Sequence, residues 1–453
     1  MMPPTDTLTK RLASFVVGTE WNVLPQEVVE RARRCLLDWI GSAYMGKGSP
    51  TDRMMEPLVR RHGAGRVATL IGCGFSAYPM EAALYNGMIS AVLEIDDVHE
   101  ETSLHGGIGV IPAALAVAES VGASGRELIL SIVIGYDISV RVARAAGSSH
   151  YQFWHTSGTC NTFGAAAAAG KLLRLDEEQM VMALGLAGTQ AAGLWEGLNA
   201  KATTAKHLHS GKAASNGILS AFLAKQGFRG AEKILEGEKG FFPATARPTP
   251  EDLQRMTENW GRPFLIMRNF FKRYACCRAC FEGIEGLGRL MDEQRLRPGD
   301  MEEIRVTMKP GRTWLVGNLN PFDIYEAKFS LPFCMALMAI RGEAGVSAFR
   351  EENLLDPAIR DLMGRIKLLS DPEIAAKARL EVVLKDGTRW ALEPHCRSLT
   401  LEEVEEKFLQ NLSPLLGKKG AEAIIRAVNK VDQMEALGEL THLLKRRPRG
   451  ETR

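Results

Sequence analysis

The chain lacks the features that mark membrane, secreted and nucleic-acid-binding proteins. Its 56 basic side chains are nearly balanced by 54 acidic ones, so with a net charge of +2 no bulk attraction to nucleic acid or to a membrane surface is expected. No uninterrupted apolar stretch reaches the ~20 residues of a membrane helix, and no basic segment followed by an apolar one stands at the amino terminus. We therefore predict a cytoplasmic protein.

Several nucleotide and hydrolase motifs are also missing. The sequence has no G-x-x-x-x-G-K-[ST], no G-x-G-x-x-G after a strand and no G-x-S-x-G, which weakens kinase, dinucleotide-binding and α/β-hydrolase functions. Without a secretory signal, the eight cysteines indicate reduced and mostly packed thiols rather than a disulfide framework. The basic residues 445–449 indicate a frayed, solvated end.

Histidine is scarce but clustered. Imidazole exchanges protons near neutral pH, so histidines that lie beside acids and a lysine indicate proton-transfer chemistry. Six of the nine histidines fall within one 111-residue span: His99, His105, His150, His155, His207 and His209.

The first half of the chain has a helical pattern. From about residue 24 to 226, apolar residues recur at three- and four-residue steps, and segments 161–173 and 209–226 are rich enough in Ala and Gly for helices to approach closely. Helix starts are predicted near Pro79, Pro112 and Ser124, and at a capping box formed by Asp176 with Gln179.

Strand patterns begin after about residue 264. Ile304, Val306 and Met308 alternate with polar residues, and residues 380–384 lead through Asp386-Gly387 into a second strand, which predicts a hairpin. A capping box of Thr400 with Glu403 opens three amphipathic helices that return to the first domain. The predicted fold is mainly α: a large all-helical domain of residues 1–264 plus 397–453, with a smaller α+β lid domain, 265–396, inserted in it.

Five acids and two histidines lie within twelve residues, from Glu94 to His105. On a helix end, Asp96 and His99 would lie one turn apart and could pair, while His105 precedes two glycines that let backbone approach a ligand. A solvated acidic loop is the plain alternative. A metal site is a weaker alternative, because the ligand spacing is not a fixed one.

Two further polar segments each precede an Ala-rich helix. Residues 154–159, with His155, come just before a helix predicted near Asn161, whose N-terminus would bind a carboxylate or carry an ordinary cap. In residues 203–211, Lys206 and His209 can share a helix face while His207 points elsewhere. Such a lysine would bind a carboxylate or act as acid or base, and a solvated basic turn is the alternative.

A fourth segment, residues 271–280, combines cations with thiols. Cys277-x-x-Cys280 resembles half of a zinc or iron–sulfur site, but no second CxxC exists, and Cys396 is the other cysteine with a histidine neighbour. An aconitase-like iron–sulfur hydratase, a redox pair and idle thiols all remain open. Lys272 and Arg273 are candidate carboxylate-binding cations.

These segments, in this order, resemble the MmgE/PrpD family, which includes 2-methylcitrate dehydratase, cis-aconitate decarboxylase and iminodisuccinate epimerase. The resemblance runs over nearly the whole chain, and the ordered set is far more specific than any one string. It is carried by Tyr85-Asn86-Gly87, Asp96-Asp97-Val98-His99, Gly135-Tyr136-Asp137, residues 112–116, 154–159, 163–166, 206–214 and 327–332, and the segment around Lys272.

The resemblance implies a helical domain with an inserted α+β lid, a cleft between the two domains, a homodimer, and catalysis without a metal or an organic cofactor. Carried over position by position, it implies a polar site of Glu94, Asp96, Asp97, His99, His105, His155, Lys206 and Lys272. Glu94 and Val98 stand where the family usually has Asp and Thr, and Cys280 stands where it has His. Losing a hydroxyl and an imidazole changes which substrate groups are paired, and therefore the specificity.

The leading hypothesis is an enzyme that removes a proton next to a carboxylate of a small di- or tricarboxylic acid. Dehydration like that of 2-methylcitrate dehydratase is favoured, with decarboxylation or epimerisation also possible. His105 would be the general acid/base, His155 and Asp96 would position substrate or tune the proton transfer, and Lys206 and Lys272 would hold carboxylates. Glu94, Asp97, His99, Arg273 and His209 are expected to support substrate binding. The alternatives are an iron–sulfur hydratase and a helical binding protein without catalytic activity.

Overall fold

The computed structural model describes residues 6–62, 67–199 and 204–450 and divides into two compact units. Unit 1 comprises Met1–Val92, Asp96–Phe271 and Thr400–Arg453, and unit 2 comprises Leu93–Ile95 and Lys272–Leu399. The sequence patterns place the boundaries at 264/265 and 396/397. They do not indicate that three residues beside the acidic segment, Leu93–Ile95, belong to unit 2.

The first part of unit 1 is built of helices. The predicted capping box is confirmed, because Asp176 and Gln179 exchange side-chain and backbone hydrogen bonds. The helix start predicted near Ser124 is confirmed as well, and there the structure shows a further capping box of Ser124 with Glu127. The described helices are α1 Leu8–Gly18, α2 Gln26–Met45, α3 Pro50–His62, α4 Pro79–Ser90, α5 Gly107–Val121, α6 Gly125–Tyr151, α7 Thr156–Leu172, α8 Glu177–Gly188, α9 Glu196–Asn199, α10 Thr204–Lys225, α11 Phe241–Thr245 and α12 Pro250–Met256.

The centre of unit 1 is formed by α4, α5, α6, α7 and α10, which pack against one another. The predicted close approach of small-residue helices is confirmed: a Cβ added at Gly87 on α4 would lie 2.8 Å from the Cα of Gly211 on α10. The backbones meet because neither residue has a side chain. Thirteen of the seventeen residues of α7 are Ala, Gly, Ser, Thr or Cys, which explains how one helix packs on several neighbours.

Two helices begin earlier than the sequence predicts. Helix α5 starts at Gly107 rather than near Pro112, because the Asp97 carboxylate accepts the Gly107 N–H at 3.1 Å and satisfies the first turn. Helix α7 starts at Thr156 rather than near Asn161, with His155 at its N-cap. Residues 156–159 are therefore the first turn of the helix and not a loop before it.

Unit 1 also contains two small antiparallel sheets, which the all-helical prediction did not include. Strand β1, Ala68–Thr69, pairs with β2, Ser76–Ala77. Strand β3, Val98–His99, pairs with β4, Asn269–Phe270, and so joins the acidic segment to the end of the first part of unit 1. The fold class is nevertheless mainly α, as predicted.

Unit 2 is α+β. Its helices are α13 Phe281–Gln294, α14 Pro310–Val316, α15 Ile324–Ala327, α16 Leu331–Arg341, α17 Glu351–Leu354 and α18 Pro357–Gly364. Its strands are β5 Met301–Met308, β6 Ile366–Ser370, β7 Arg379–Leu384 and β8 Arg389–Leu392, in the sheet order β6-β5-β7-β8. Strands β5 and β6 are parallel and the other pairs antiparallel.

The strand predictions for unit 2 are confirmed. Ile304, Val306 and Met308 are the buried face of β5, and β7 and β8 form the predicted hairpin. Gly387 in the turn has φ of 85°, a left-handed conformation that glycine adopts without strain. Helix α13 packs on α16 and on β7 and covers one face of the sheet.

The chain returns to unit 1 through α19 Leu401–Leu416, α20 Lys418–Asn429 and α21 Gly438–Leu444, and the predicted capping box of Thr400 with Glu403 is confirmed. Short 3-10 helices occur at Trp21–Val23, Leu265–Arg268, Arg278–Cys280, Pro298–Asp300, Val346–Ala348 and Val431–Gln433. None of the described helices is both long and apolar enough to cross a membrane.

The prediction of a frayed basic tail is wrong for the residues that the structure describes. The carbonyls of Leu444 and Lys445 accept the N–H groups of Gly72 and Gly74, each at 2.9 Å. The Arg447 guanidinium donates to the Cys73 carbonyl at 2.8 Å and pairs with Glu56. The arginine binds carbonyl and carboxylate oxygens of unit 1, and a pattern of basic residues alone does not show such partners.

The close contact between α4 and α10 predicts that Gly211→Ala destabilises the protein. A Cβ there would run into the carbonyl oxygen of Leu84, and overpacking of this kind costs about 1–3 kcal/mol of unfolding free energy. Gly288→Ala on α13 is the matched control, since the atom nearest to its added Cβ is 4.0 Å away and alanine favours helix. Thermal unfolding followed by circular dichroism should show a lower midpoint for Gly211→Ala only. Equal midpoints in both variants would contradict the packing described here.

Candidate active site

The acidic segment after α4 is buried and not a solvated loop. The side chains of Asp96, Asp97 and His99 are 2% exposed or less, whereas Glu100 and Glu101 are exposed. A buried carboxylate is stable only when hydrogen-bond donors surround it. The contacts of Asp96 and Asp97 therefore have to account for their burial.

Asp96 and His105 form a close pair. The Asp96 Oδ2 lies 2.6 Å from the His105 Nδ1, and the two side chains are nearly enclosed. The prediction that Asp96 pairs with His99 is wrong, because residues 98–99 are a β-strand and not a helix end. A carboxylate fixes the tautomer of an imidazole that donates from Nδ1, and it stabilises the imidazolium form.

Helix α7 holds the backbone of His105 on both sides. The His105 N–H donates to Ser157 Oγ at 3.0 Å, and the His105 carbonyl accepts from Asn161 Nδ2 at 2.8 Å. Ser157 and Asn161 stand one turn apart on the helix, so they contact consecutive backbone groups. With its side chain held by Asp96, His105 is fixed by three hydrogen bonds.

Asp97 connects three elements of unit 1 through its hydrogen bonds. Its carboxylate accepts from the Gly107 N–H at 3.1 Å, from the Tyr136 hydroxyl at 2.7 Å and from Asn269 Nδ2 at 2.6 Å. Burial and the neighbouring Asp38 carboxylate raise the pKa of Asp97 to about 7, although the Tyr136 hydrogen bond acts in the opposite direction. The three contacts join the acidic segment to α5, α6 and β4.

His99, within the same segment, is fully buried. Its N–H donates to the Leu104 carbonyl at 2.7 Å, and its Nδ1 lies 3.0 Å from Thr102 Oγ1. Burial lowers the pKa of His99 to about 4. These contacts shape the loop that carries His105.

The second and third polar segments meet at a histidine pair. His155, at the N-cap of α7, places its Nδ1 3.2 Å from the Nδ1 of His209 on α10. The His155 ring lies 4.6 Å from the Trp195 ring and 6.4 Å from the His105 ring, measured between centroids. Among the described residues, no hydrogen-bond partner exists for the buried His155 Nε2.

Burial keeps this pair neutral. It lowers the pKa of His155 well below the usual value, and the charges of Lys206, His209 and His105 act in the same direction. Burial also lowers the pKa of His209 to about 4, with smaller contributions from Lys212 and Lys206. Lys206 is therefore close enough to act on both rings, and it is itself 6% exposed.

The structure separates the other histidines from this cluster, and the prediction that His207 points away from Lys206 and His209 is confirmed. The His207 Nδ1 lies 2.9 Å from Thr51 Oγ1, and the His150 Nε2 lies 2.8 Å from Thr159 Oγ1. Both rings are buried and support packing. Thr203, at the start of the third segment, lies outside the described residues.

Glu94 and Lys272 are paired within unit 2. The fully buried Lys272 Nζ donates to the Glu94 carbonyl at 2.9 Å and lies 3.5 Å from its carboxylate. Glu94 has φ of 54°, which is uncommon for a residue with a side chain, and this conformation accompanies the bond to its carbonyl. Arg273 is exposed.

The cysteines are free thiols, as predicted, and seven of the eight are buried. The sequence paired Cys277 with Cys280, but the structure instead brings together Cys276, Cys280 and Cys334, whose sulfur atoms lie within 4.8 Å of one another. Burial raises the pKa of the Cys280 and Cys334 thiols. For Cys276, hydrogen bonds from these two thiols and the charges of Lys272 and Lys328 outweigh burial and place the pKa well below the usual value.

Sequence reasoning missed the residues that hold the histidines in place. Ser157 and Tyr136 lie in segments that carry the family resemblance and Asn161 lies between two of them, but nothing in the local pattern marks these residues as partners of His105 and Asp97. Asn269 carries no sequence signal at all. Its role depends on the pairing of β3 with β4, which joins residues more than 150 positions apart.

The comparisons with known proteins cover both parts of the chain. Residues 10–254 match the MmgE/PrpD N-terminal domain, and residues 274–433 match the MmgE/PrpD C-terminal domain.

Curated relatives extend over almost the full length. The chain is 27% identical to a cis-aconitate decarboxylase of Homo sapiens, over 97% of this chain and 95% of that protein. It is 24% identical to a cis-aconitate decarboxylase of Aspergillus terreus, over 96% and 95% of the two chains. It is 28% identical to the cis-aconitate decarboxylase-like protein oryM of Aspergillus oryzae, over 97% of each. The chain therefore belongs to the MmgE/PrpD family, and it is an enzyme of that family.

Proposed function

We propose that this enzyme is a lyase for a small tricarboxylic acid and that it decarboxylates an unsaturated substrate of the cis-aconitate type. The observation that carries the proposal is the Asp96–His105 pair, fixed at 2.6 Å beside a neutral histidine pair and a buried lysine. The names of three relatives support decarboxylation over the dehydration that the sequence alone favours.

His105 is the proton donor in this proposal. Its Nδ1 is held by Asp96, so proton exchange with the substrate takes place at Nε2. The Asp96 carboxylate stabilises the imidazolium that donates, and the bonds from Ser157 and Asn161 prevent the ring from moving away. A general acid that is held in place in this way contributes about 10²–10⁴-fold to the rate.

The proposed reaction consumes one proton and releases one carbon dioxide. The bond between the departing carboxylate carbon and its neighbour breaks, and the electron pair passes into the adjoining carbon–carbon double-bond system. The proton from His105 Nε2 joins the carbon at the other end of that system. His105 then takes a new proton from solvent, which restores the starting state.

Lys206, His155 and His209 bind and orient the substrate in this proposal. The Lys206 ammonium supplies the positive charge for a carboxylate and stabilises negative charge that develops on the neighbouring carbons. The Nε2 of His155 offers a polar atom that is otherwise unsatisfied among the described residues. A neutral imidazole pair adds hydrogen bonding without a second positive charge, so one carboxylate can be held while another departs.

The remaining predicted site residues receive other roles. Asp97 and His99 position the loop of His105, since their contacts are with the protein. For Lys272 to bind a substrate carboxylate, it would have to replace its contact with the Glu94 carboxylate. We therefore assign Lys272 and Glu94 to each other, and substrate binding by Arg273, which is exposed, stays a prediction from the sequence.

A substrate panel tests the reaction. In heavy water, with cis-aconitate, 2-methylcitrate, citrate and racemic substituted succinates, we expect carbon dioxide release from cis-aconitate and one deuterium in the product, measured by proton NMR and mass spectrometry. Loss of water from 2-methylcitrate without decarboxylation would replace this reaction by dehydration. If compounds bind but show neither turnover nor C–H exchange, the protein is a binding protein and the proposal is wrong.

Variants of the dyad test the assignment of the proton donor. We expect His105→Asn to reduce kcat about 10²–10⁴-fold, and Asp96→Asn to reduce it by a smaller factor, because the ring loses its fixed tautomer but keeps its nitrogen. His207→Gln is the matched control, a buried histidine on α10 whose partner is Thr51, and it should retain wild-type turnover. Turnover of His105→Asn within threefold of the wild type would contradict the role of His105.

The neutrality of the histidine pair predicts a pH response. The His209 ring should stay uncharged in the folded protein down to a pH near 4, whereas in urea it should titrate near its usual value of about 6.5. Between these values only the unfolded chain takes up this proton, so this contribution to stability is lost as the pH falls from 6.5 toward 4. Histidine NMR titration, with His209→Gln to assign the signal, measures both values. A folded-state midpoint near 6.5 would contradict the burial of this ring.

A further inference from the structure

Unit 2 contains a cluster of three buried thiols that the proposed proton chemistry does not use. Cys276 precedes the 3-10 helix Arg278–Cys280, Cys280 is the last residue of that helix, and Cys334 lies on α16. All three side chains are 0% exposed, and their sulfur atoms lie within 4.8 Å of one another. Two separate segments of unit 2 therefore supply the three thiols.

We propose that Cys276, Cys280 and Cys334 together bind one thiophilic metal ion, with zinc as the reference case. With Zn–S bonds of about 2.3 Å, tetrahedral geometry places neighbouring sulfurs about 3.8 Å apart. The observed upper limit of 4.8 Å is within small side-chain adjustments of that value. Three protein ligands leave a fourth position for water or another small ligand.

The same distances favour a single ion over an iron–sulfur cluster. In a cubane cluster each cysteine binds a different iron atom, which spreads the sulfurs farther apart than the ligands of one ion. The sulfur atoms of Cys276, Cys280 and Cys334 converge on one point instead. The iron–sulfur hypothesis also relied on Cys277 and Cys396, and neither belongs to this cluster.

Two buried lysines, of which Lys272 is also paired with the Glu94 carboxylate, balance the charge of such a site. Three thiolates and a divalent ion carry one net negative charge, which would be costly to bury alone. Lys272 and Lys328 are 0% and 1% exposed, and both act electrostatically on Cys276. Lys328 is held by the Ala275 carbonyl at 2.8 Å and by the Phe349 ring at 4.0 Å, so its charge has a fixed place.

Backbone hydrogen bonds and a helix cap hold the segment of Cys276 and Cys280 and the helix of Cys334 in place without a metal. The Cys277 N–H donates to the Lys328 carbonyl at 2.9 Å, and the Cys280 N–H donates to the Cys277 carbonyl at 2.9 Å. Cys334 is fixed on α16, where Ser330 caps the helix through the Phe333 N–H. A preorganised set of ligands loses little conformational entropy on binding.

Metal titration of the reduced, full-length protein tests the proposal. Cd²⁺ is the probe for a spectrum, because cadmium thiolates absorb in the ultraviolet, and Zn²⁺ is the probe for stoichiometry after desalting. We expect one bound ion per chain, a charge-transfer band that saturates at one equivalent, and a higher thermal midpoint when zinc is added, since an ion that binds the folded state stabilises it.

Matched variants locate the ion. Cys276→Ser, Cys280→Ser and Cys334→Ser should each lower the band intensity and weaken binding at least tenfold, while Cys277→Ser, beside the cluster, and Cys160→Ser, equally buried in unit 1, should bind like the wild type. X-ray absorption of the wild-type cadmium complex should show three sulfur ligands, a result that does not depend on whether a variant folds.

Fewer than three sulfur ligands, no saturation at one equivalent, or full binding by the three cluster variants would overturn the proposal. None of these measurements uses turnover. The metal site and the proposed decarboxylation can therefore fail separately.

Discussion

A polar segment buried in an Ala- and Gly-rich helical core is stable only if its charges are paired, and the Asp97 carboxylate is the central pairing group. It accepts hydrogen bonds from a helix N-terminus, a tyrosine and an asparagine that come from three different parts of unit 1. Because these donors fix Asp97, they also fix its neighbour Asp96. The position of His105 then follows, since its ring is held by Asp96 and its backbone by α7.

The close packing of the helical core brings the histidine pair together. Small residues on α4, α7 and α10 let these helices approach, so the ends of α7 and α10 bring His155 and His209 into contact. The burial that results removes water from both rings and keeps them neutral. Packing and chemistry are coupled here, because the same small side chains that close the core determine the charge of the histidines.

Local sequence patterns predict the parts of the structure whose causes are local. The capping boxes at Asp176 and Thr400, the helix start near Ser124, the alternation in β5 and the Asp386-Gly387 turn were predictable because each depends on residues within a few positions. The face shared by Lys206 and His209 follows from helical periodicity in the same way.

Contacts between distant segments could not be read in this way. The pairing of β3 with β4 turned an expected helix end into a strand and moved the partner of Asp96 from His99 to His105. The thiol cluster likewise combines Cys280 with Cys334, 54 residues later, and no CxxC spacing signals it. The family resemblance supplied the list of polar residues, while the structure supplied which of them contact one another.

Leu93–Ile95 interrupt unit 1 along the sequence but belong to unit 2. Unit 2 therefore cannot be excised as one continuous segment. A fragment of residues 272–399 would contain the whole sheet but would lack Glu94, and Lys272 would become a buried cation without that carboxylate and carbonyl. Residues 272–399 therefore do not contain all the contacts that stabilise unit 2. Exchange of unit 2 between relatives by recombination at residues 272 and 399 alone would separate an ion pair, so successful chimaeras must carry residues 93–95 together with unit 2.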